Sequence, residues 1–170
     1  LVMLATYSDF PHPDAAERPR QRDDIRAWID AAATMGVAMV RLTAGQAHPG
    51  VSEADGLAWA AEGLTACLTD ATAAGVRLLY ENHVRGAVWN ANDFTQPAAR
   101  FLEVVRRTEG STLGLLFDTA NCLALNDDPL RVLAEVRERV LAVHLSDIRR
   151  AGAFEPTVIG TGVAPTCSLP

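Results

Sequence analysis

The sequence predicts an α/β protein in which a parallel sheet is covered by helices, in a barrel rather than a doubly wound arrangement. Three observations carry this. Apolar runs, each ending in a polar cluster, recur along the chain, and segments with helical spacing lie between them. Strands apolar without alternation are those buried on both faces, as in parallel sheets. No G-x-G-x-x-G or P-loop sequence follows any run, so the nucleotide-binding open sheet loses its signature.

The elements follow in order. LVMLATYSDF (1–10) is the first strand and ends at Ser8-Asp9-Phe10. Ile25, Trp28, Ile29, Ala32 and Met35 recur at helical spacing, and Gly36 can take a left-handed cap. GVAMVRLTAG (36–45) is the second strand. Ser52 with Asp55 resembles a capping box, and Leu57, Ala61, Leu64, Leu68 and Ala71 form one helical stripe ending at Gly75. GVRLLYENH (75–83) ends at Glu81, Asn82 and His83. Thr95 is the expected cap of a helix reaching Thr108. LGLLFDTAN (113–121) presents a strand buried on both faces that stops at Asp118. Asp128-Pro129 reads as N-cap and first residue of a helix to about Arg139. VLAVHLSD (140–147) ends at His144 and Asp147. No linker interrupts the series, which predicts a single domain over 1–170.

Composition narrows the function. The 170 residues are 49% hydrophobic, enough for one compact core. A net charge of −6 argues against a nucleic-acid surface, and no apolar run has the length of a membrane span. Cys67, Cys122 and Cys167 show no metal-ligand spacing and suit a reducing, cytoplasmic setting. All 15 basic residues are arginine, so the segment offers no amine for Schiff-base chemistry.

Parallel sheets bind ligands at the carboxyl ends of their strands. If consecutive strands are neighbours, Glu81, Asp118 and His144 end three adjacent strands, since separations of 37 and 26 residues each hold one repeat. Two carboxylates and an imidazole suit one divalent ion, Mn²⁺, Mg²⁺, Co²⁺ or Zn²⁺, with positions open to substrate oxygens. Each residue alone has a duller role: Asp118 capping a helix, Glu81 pairing with Arg41 or Arg77, His144 a core histidine. Equivalent placement in three successive repeats is hard to attribute to capping.

YENH, FDTAN and VHLSD, with SDFPHPDAAERPRQ and VRLTAGQ upstream, resemble the xylose isomerase-like barrel superfamily, and within it the sugar phosphate isomerases and epimerases. The resemblance covers nearly the whole chain. It implies a (β/α)₈ TIM barrel holding one divalent metal on Glu, Asp, His and a second Glu, with the two glutamates moving a proton on either face of a metal-bound cis-enediolate. Glu81 matches the first glutamate, Asp118 and His144 the next two ligands. Asn121 falls where some relatives carry a substrate-binding histidine, and Arg150 or Arg149 where epimerases place a substrate-contacting arginine. His83 is a candidate for a substrate hydroxyl and Asp147 for orienting the pocket; helix-start or loop roles remain open for both.

Such a barrel needs eight strands and roughly 250 residues. The expected fold is therefore an incomplete arc of about five strands, lacking the first two and the last. VIGTGVAPTCSLP resembles the family's G-E-G loop but carries Thr161 in the acidic place; Glu155 is a poor substitute, so the second catalytic carboxylate is missing. Two open sheet edges predict marginal stability or self-association as a homo-oligomer. The leading expectation is a metal-dependent isomerase or epimerase of a sugar or sugar phosphate, inactive as these residues alone. An inosose-type dehydratase using the same enediolate is the lyase alternative, and a non-catalytic sugar- or partner-binding relative the third. The DNA-repair endonucleases of this superfamily fit less well, because they build a zinc cluster from many histidines and this chain has four.

Overall fold

A computed structural model describes residues 1–85 and 87–165. Five strands, β1 (Met3–Ala5), β2 (Met39–Leu42), β3 (Arg77–Glu81), β4 (Gly114–Asp118) and β5 (Val140–His144), lie in one sheet in sequential order. Every pairing is parallel. Between them run α1 (Glu17–Thr34), α2 (Glu53–Thr65), α3 (Leu68–Ala73), α4 (Ala98–Arg107) and α5 (Pro129–Val136).

The alternation of side chains along each strand assigns the two faces. Val40, Leu42, Leu78, Tyr80, Leu115 and Phe117 belong to the apolar core beneath the helices, with Ile25, Ile29 and Phe101 from above. The intervening residues Arg41, Leu79, Glu81, Leu116 and Asp118 are equally buried but face the other way. Register then fixes the polar groups: Arg41 pairs with Leu79, Glu81 with Leu116, and Asp118 with His144. β1 and β5 are the sheet edges. β5 is half-exposed along its length, with Leu141 and Val143 open to solvent.

Helix boundaries depart from the sequence expectation in two places. The stripe from Leu57 to Ala71 is not one helix. It breaks at Cys67, whose φ of −108° and ψ of 12° leave helical geometry, and α3 restarts beyond it. Cys67 is buried there, its thiol directed at the Arg22 carbonyl 3.5 Å away. Thr95 does not cap α4; Pro97 holds the N-cap position. The N–H and hydroxyl of Thr95 both donate to Asp93 Oδ1 at 2.7 Å, and its hydroxyl oxygen accepts from Tyr80 at 2.7 Å, which turns the side chain away from the helix end. The Ala98 N–H is met instead by Asp127 Oδ2 from a distant loop, at 3.0 Å. The other caps behave as the sequence suggests. Ser52 accepts from the Asp55 N–H, Asp128 from Leu130 with Pro129 at the first helical position, and Gly36 takes a φ of 66° behind α1.

No helix among the described residues is long and apolar enough to cross a membrane. Cys67 and Cys122 are buried and free, and burial pushes the Cys122 thiol up to about 12, which makes it inert. Cys167 and the end of the VIGTGVAPTCSLP segment lie outside the described residues.

Candidate metal centre

The sheet carries Glu81, Asp118 and His144 to one place. One ligand atom from each lies within 4.8 Å of the other two. Glu81 is almost fully buried at the end of β3. Its Oε1 is 2.8 Å from His144 Nδ1, and its Oε2 is 3.1 Å from Arg41 Nε. The second contact is electrostatic only: neither Arg41 Nε nor Glu81 Oε2 has a hydrogen-bond partner among the described residues. Arg41 is held in place by donating to the Thr6 carbonyl at 2.7 Å and lying over the Tyr7 ring at 4.9 Å. Of the two arginines open as partners for Glu81, the structure selects Arg41; Arg77 sits exposed at the far end of the strand.

Asp118 collects its hydrogen bonds on one oxygen. Oδ1 accepts from Ser146 Oγ at 2.6 Å and from the N–H groups of Ala120 and Asn121 at 2.9 and 3.0 Å. Those bonds tie Asp118 to the turn after β4 through one oxygen and leave Oδ2 outside them. Burial raises the Asp118 carboxyl above its ordinary range, against the pull of the Ser146 bond. His144 is partly accessible, and its hydrogen bond to Glu81 raises its basicity despite partial burial.

Asn82 is the residue that sequence reasoning passed over. Its side-chain amide accepts from the Asp118 N–H at 2.7 Å and donates to the Asp118 carbonyl at 3.0 Å. It also bears on Asn121, whose Nδ2 donates to the Asn82 carbonyl at 2.8 Å. Its position between Glu81 and His83 in YENH was the only signal.

The remaining candidates are spread around this rim. Asn121 is buried and committed to Asn82. His83 is partly buried, with its ring edge-on to Tyr7 and Trp89, centroids 5.8 and 5.6 Å away. Burial drives its pKa down to about 4, and the neighbouring Asp93 carboxyl is pushed up to about 7 by its own burial. The two stand 4.0 Å apart without a hydrogen bond, and burial favours the neutral form of each. Asp147 turns to its own loop: it accepts from the N–H groups of Ile148, Gly160, Gly162 and Ala164 at 2.8–3.0 Å. Burial would raise this carboxyl, and the four bonds together hold it below its ordinary range. Arg149 and Arg150 are exposed, and Arg150 pairs with Glu155 at 2.7 Å.

The donors fit a divalent ion. They are hard-to-borderline in type, they converge to within 4.8 Å of one another, and Glu81 Oε2 is a buried acceptor with unused capacity.

Sequential parallel strands with helices outside and polar residues at the carboxyl ends define a TIM-barrel arc. The chain belongs to the xylose isomerase-like TIM barrel family, which its sequence matches over residues 1–167. It is similar to a D-tagatose 3-epimerase-like protein of known structure, with a TM-score of 0.78 at 17% identity, covering 96% of this chain and 63% of that one. An IOLI protein with a bound zinc atom gives a TM-score of 0.78 at 16% identity, covering 95% and 59%. These likenesses establish the fold, and the chain spans about three fifths of those proteins' length. In sequence it is 26% identical to an inosose dehydratase of Lacticaseibacillus casei over 81 residues, 48% of this chain and 25% of that protein.

Proposed function

We propose that this chain carries three ligands of the metal site of a sugar or sugar-phosphate isomerase or epimerase, with Glu81 as a proton-transfer residue. The observation that carries the reading is the meeting of Glu81, Asp118 and His144 at the ends of three adjacent strands. Glu81, Asp118 and His144 would hold the ion, which when bound supplies Lewis-acid stabilisation of charge developing on substrate oxygens.

The chain's own groups do the rest. The Glu81 carboxyl group is the one that takes or returns a proton alpha to a carbonyl, and a positioned carboxylate is competent for this once the developing charge is stabilised. Arg41 places a positive charge 3.1 Å from the buried Glu81 carboxyl group. Asn82 and Ser146 aim Asp118. Tyr7, His83 and Trp89 pack edge-on against one another beyond the strand ends and fix the position of His83. Arg149 and Arg150 remain candidates for a phosphate or a polyhydroxylated substrate.

The similarity to an inosose dehydratase favours one second reading, loss of water from a polyol ketone begun by the same proton abstraction. Product analysis of the complete enzyme separates the two: an epimer or isomer of unchanged mass, or a product lighter by one water.

The metal reading is tested by thermal unfolding of the chain with and without Mn²⁺. An ion present at about 100 times its Kd stabilises by about 2.7 kcal/mol. Asp118→Asn is expected to abolish that gain, and a gain equal to wild type removes Asp118 from the site. In the complete enzyme, Glu81→Gln is expected to lose solvent exchange at the substrate carbon, and retained exchange excludes Glu81 as the base.

A further inference from the structure

A second set of donors meets away from the Glu81 triad. Asp9 and His12 lie in the loop after β1 and His48 in the loop after β2, and one ligand atom from each falls within 4.8 Å of the others. The site is reachable, since the Asp9 and His48 side chains are 12% and 17% exposed.

Its scaffold is built. The Gln46 N–H donates to Asp9 Oδ1 and the Gln46 side-chain amide to Asp9 Oδ2, both at 2.9 Å. His48 Nε2 lies 2.9 Å from the same Oδ2. Gln46 Oε1 in turn accepts from the Asn90 N–H at 2.8 Å, which ties this support to the loop after β3. The approach depends on Gly45: at its φ of 130° a Cβ would stand 2.6 Å from Asp9 Cα and Oδ1. Only glycine lets the second loop come this close.

A hydrogen-bonded staple between the loops needs Asp9, Gln46 and His48 and nothing more. It does not account for His12, whose ring stands edge-on to His48 with centroids 4.8 Å apart. The hydrogen bond that His12 makes is to the Asp14 N–H through Nδ1, a long one at 3.2 Å that an incoming ion can displace. Two imidazoles beside an oriented carboxylate are a donor set that ions use.

We propose that Asp9, His12 and His48 form a second metal site, selective for a borderline ion such as Zn²⁺, Co²⁺ or Ni²⁺, that clamps the loops after β1 and β2 together. Its ligands are softer on balance than the two carboxylates and one imidazole of the Glu81 set, so the two sites sort metals differently. Mn²⁺ favours the Glu81 set, and Ni²⁺ the Asp9 set.

The test is a metal count on the chain after chelator treatment, dialysed against Zn²⁺ or Ni²⁺, with circular dichroism as the check on folding. His12→Ala and His48→Gln are each expected to bind one equivalent fewer than wild type, and the second variant keeps a side chain able to bond Asp9 if alanine there proves disruptive. Ni²⁺ is expected to broaden the ring-proton NMR signals of His12 and His48. An unchanged count in His12→Ala, or sharp His12 signals at saturating Ni²⁺, overturns the proposal. Failure of the Glu81 reading looks different: Asp118→Asn then leaves the count unchanged, while His12→Ala still lowers it by one.

Discussion

The side-chain amide of Asn82 bonds both backbone groups of Asp118, accepting from its N–H at 2.7 Å and donating to its carbonyl at 3.0 Å. The β3–β4 ladder ends at the pairing of Glu81 with Leu116. Asn82 extends it by two residues with side-chain atoms, and so holds Asp118 in register with Glu81.

Asn82→Ala leaves an N–H and a carbonyl of Asp118 buried without those partners, at about 1–3 kcal/mol each. The expected loss is about 2–6 kcal/mol in urea unfolding, with weaker Mn²⁺ stabilisation of what still folds. A loss under 1 kcal/mol with Mn²⁺ binding intact contradicts the positioning role.

Arg41 and Glu81 are both almost fully buried and depend on each other. Removing one partner of such a pair costs about 3–5 kcal/mol, because the other charge is left uncompensated. Arg41→Met is expected to fall in that range. Adding Glu81→Gln to it should recover a large part, since the amide needs no counter-charge. A double variant as unstable as Arg41→Met plus Glu81→Gln summed would show that the two do not interact.

His83 and Asp93 impose opposite pH dependences that conceal one another. His83, with its pKa lowered to about 4, is neutral when folded and protonated when unfolded between there and its ordinary 6.5, so its share of stability rises with pH across that window. Asp93, raised from 3.8 to about 7, is protonated when folded and ionised when unfolded, so its share falls over nearly the same span. Each runs at up to about 1.4 kcal/mol per pH unit. Relative to wild type, Asp93→Asn should therefore gain stability as pH rises from 4 to 7, and His83→Gln should lose it. Denaturant midpoints at four pH values decide this; parallel curves for all three proteins would exclude the neutral pair.

Gly63 on α2 tests packing against propensity. Alanine would add about 1 kcal/mol of helix preference. Its Cβ, however, would collide with the ring of Phe10, which is buried and cannot swing aside. Overpacking of this kind costs about 1–3 kcal/mol. Gly63→Ala is expected to lower the melting temperature, whereas Gly36→Ala fails for another reason, its φ of 66° with open space around it.

The local physics of the chain determined much of this without tertiary information. Uninterrupted apolar strands required a sheet covered on both faces, and repeats of strand and helix required it to be parallel. Asp128 before Pro129 was enough to start α5, because a cap is settled within one turn. The convergence of Glu81, Asp118 and His144 followed from strand order alone, since parallel neighbours bring their carboxyl ends together. Tertiary structure decided what depends on partners brought together by the fold, mostly 15 to 40 residues apart in sequence. Arg41 rather than Arg77 faces Glu81 because strand parity and register place it there. Thr95 is drawn off its helix by Tyr80 and Asp93, and Asn82 acquires its task only when Asp118 lies beside it. His12, inside SDFPHPDAAERPRQ, and His48, two residues past VRLTAGQ, meet only because Gly45 lets two loops touch. Periodicity and capping are short-range energies and can be read along a chain; hydrogen bonds between distant loops exist only once the sheet has set their distance.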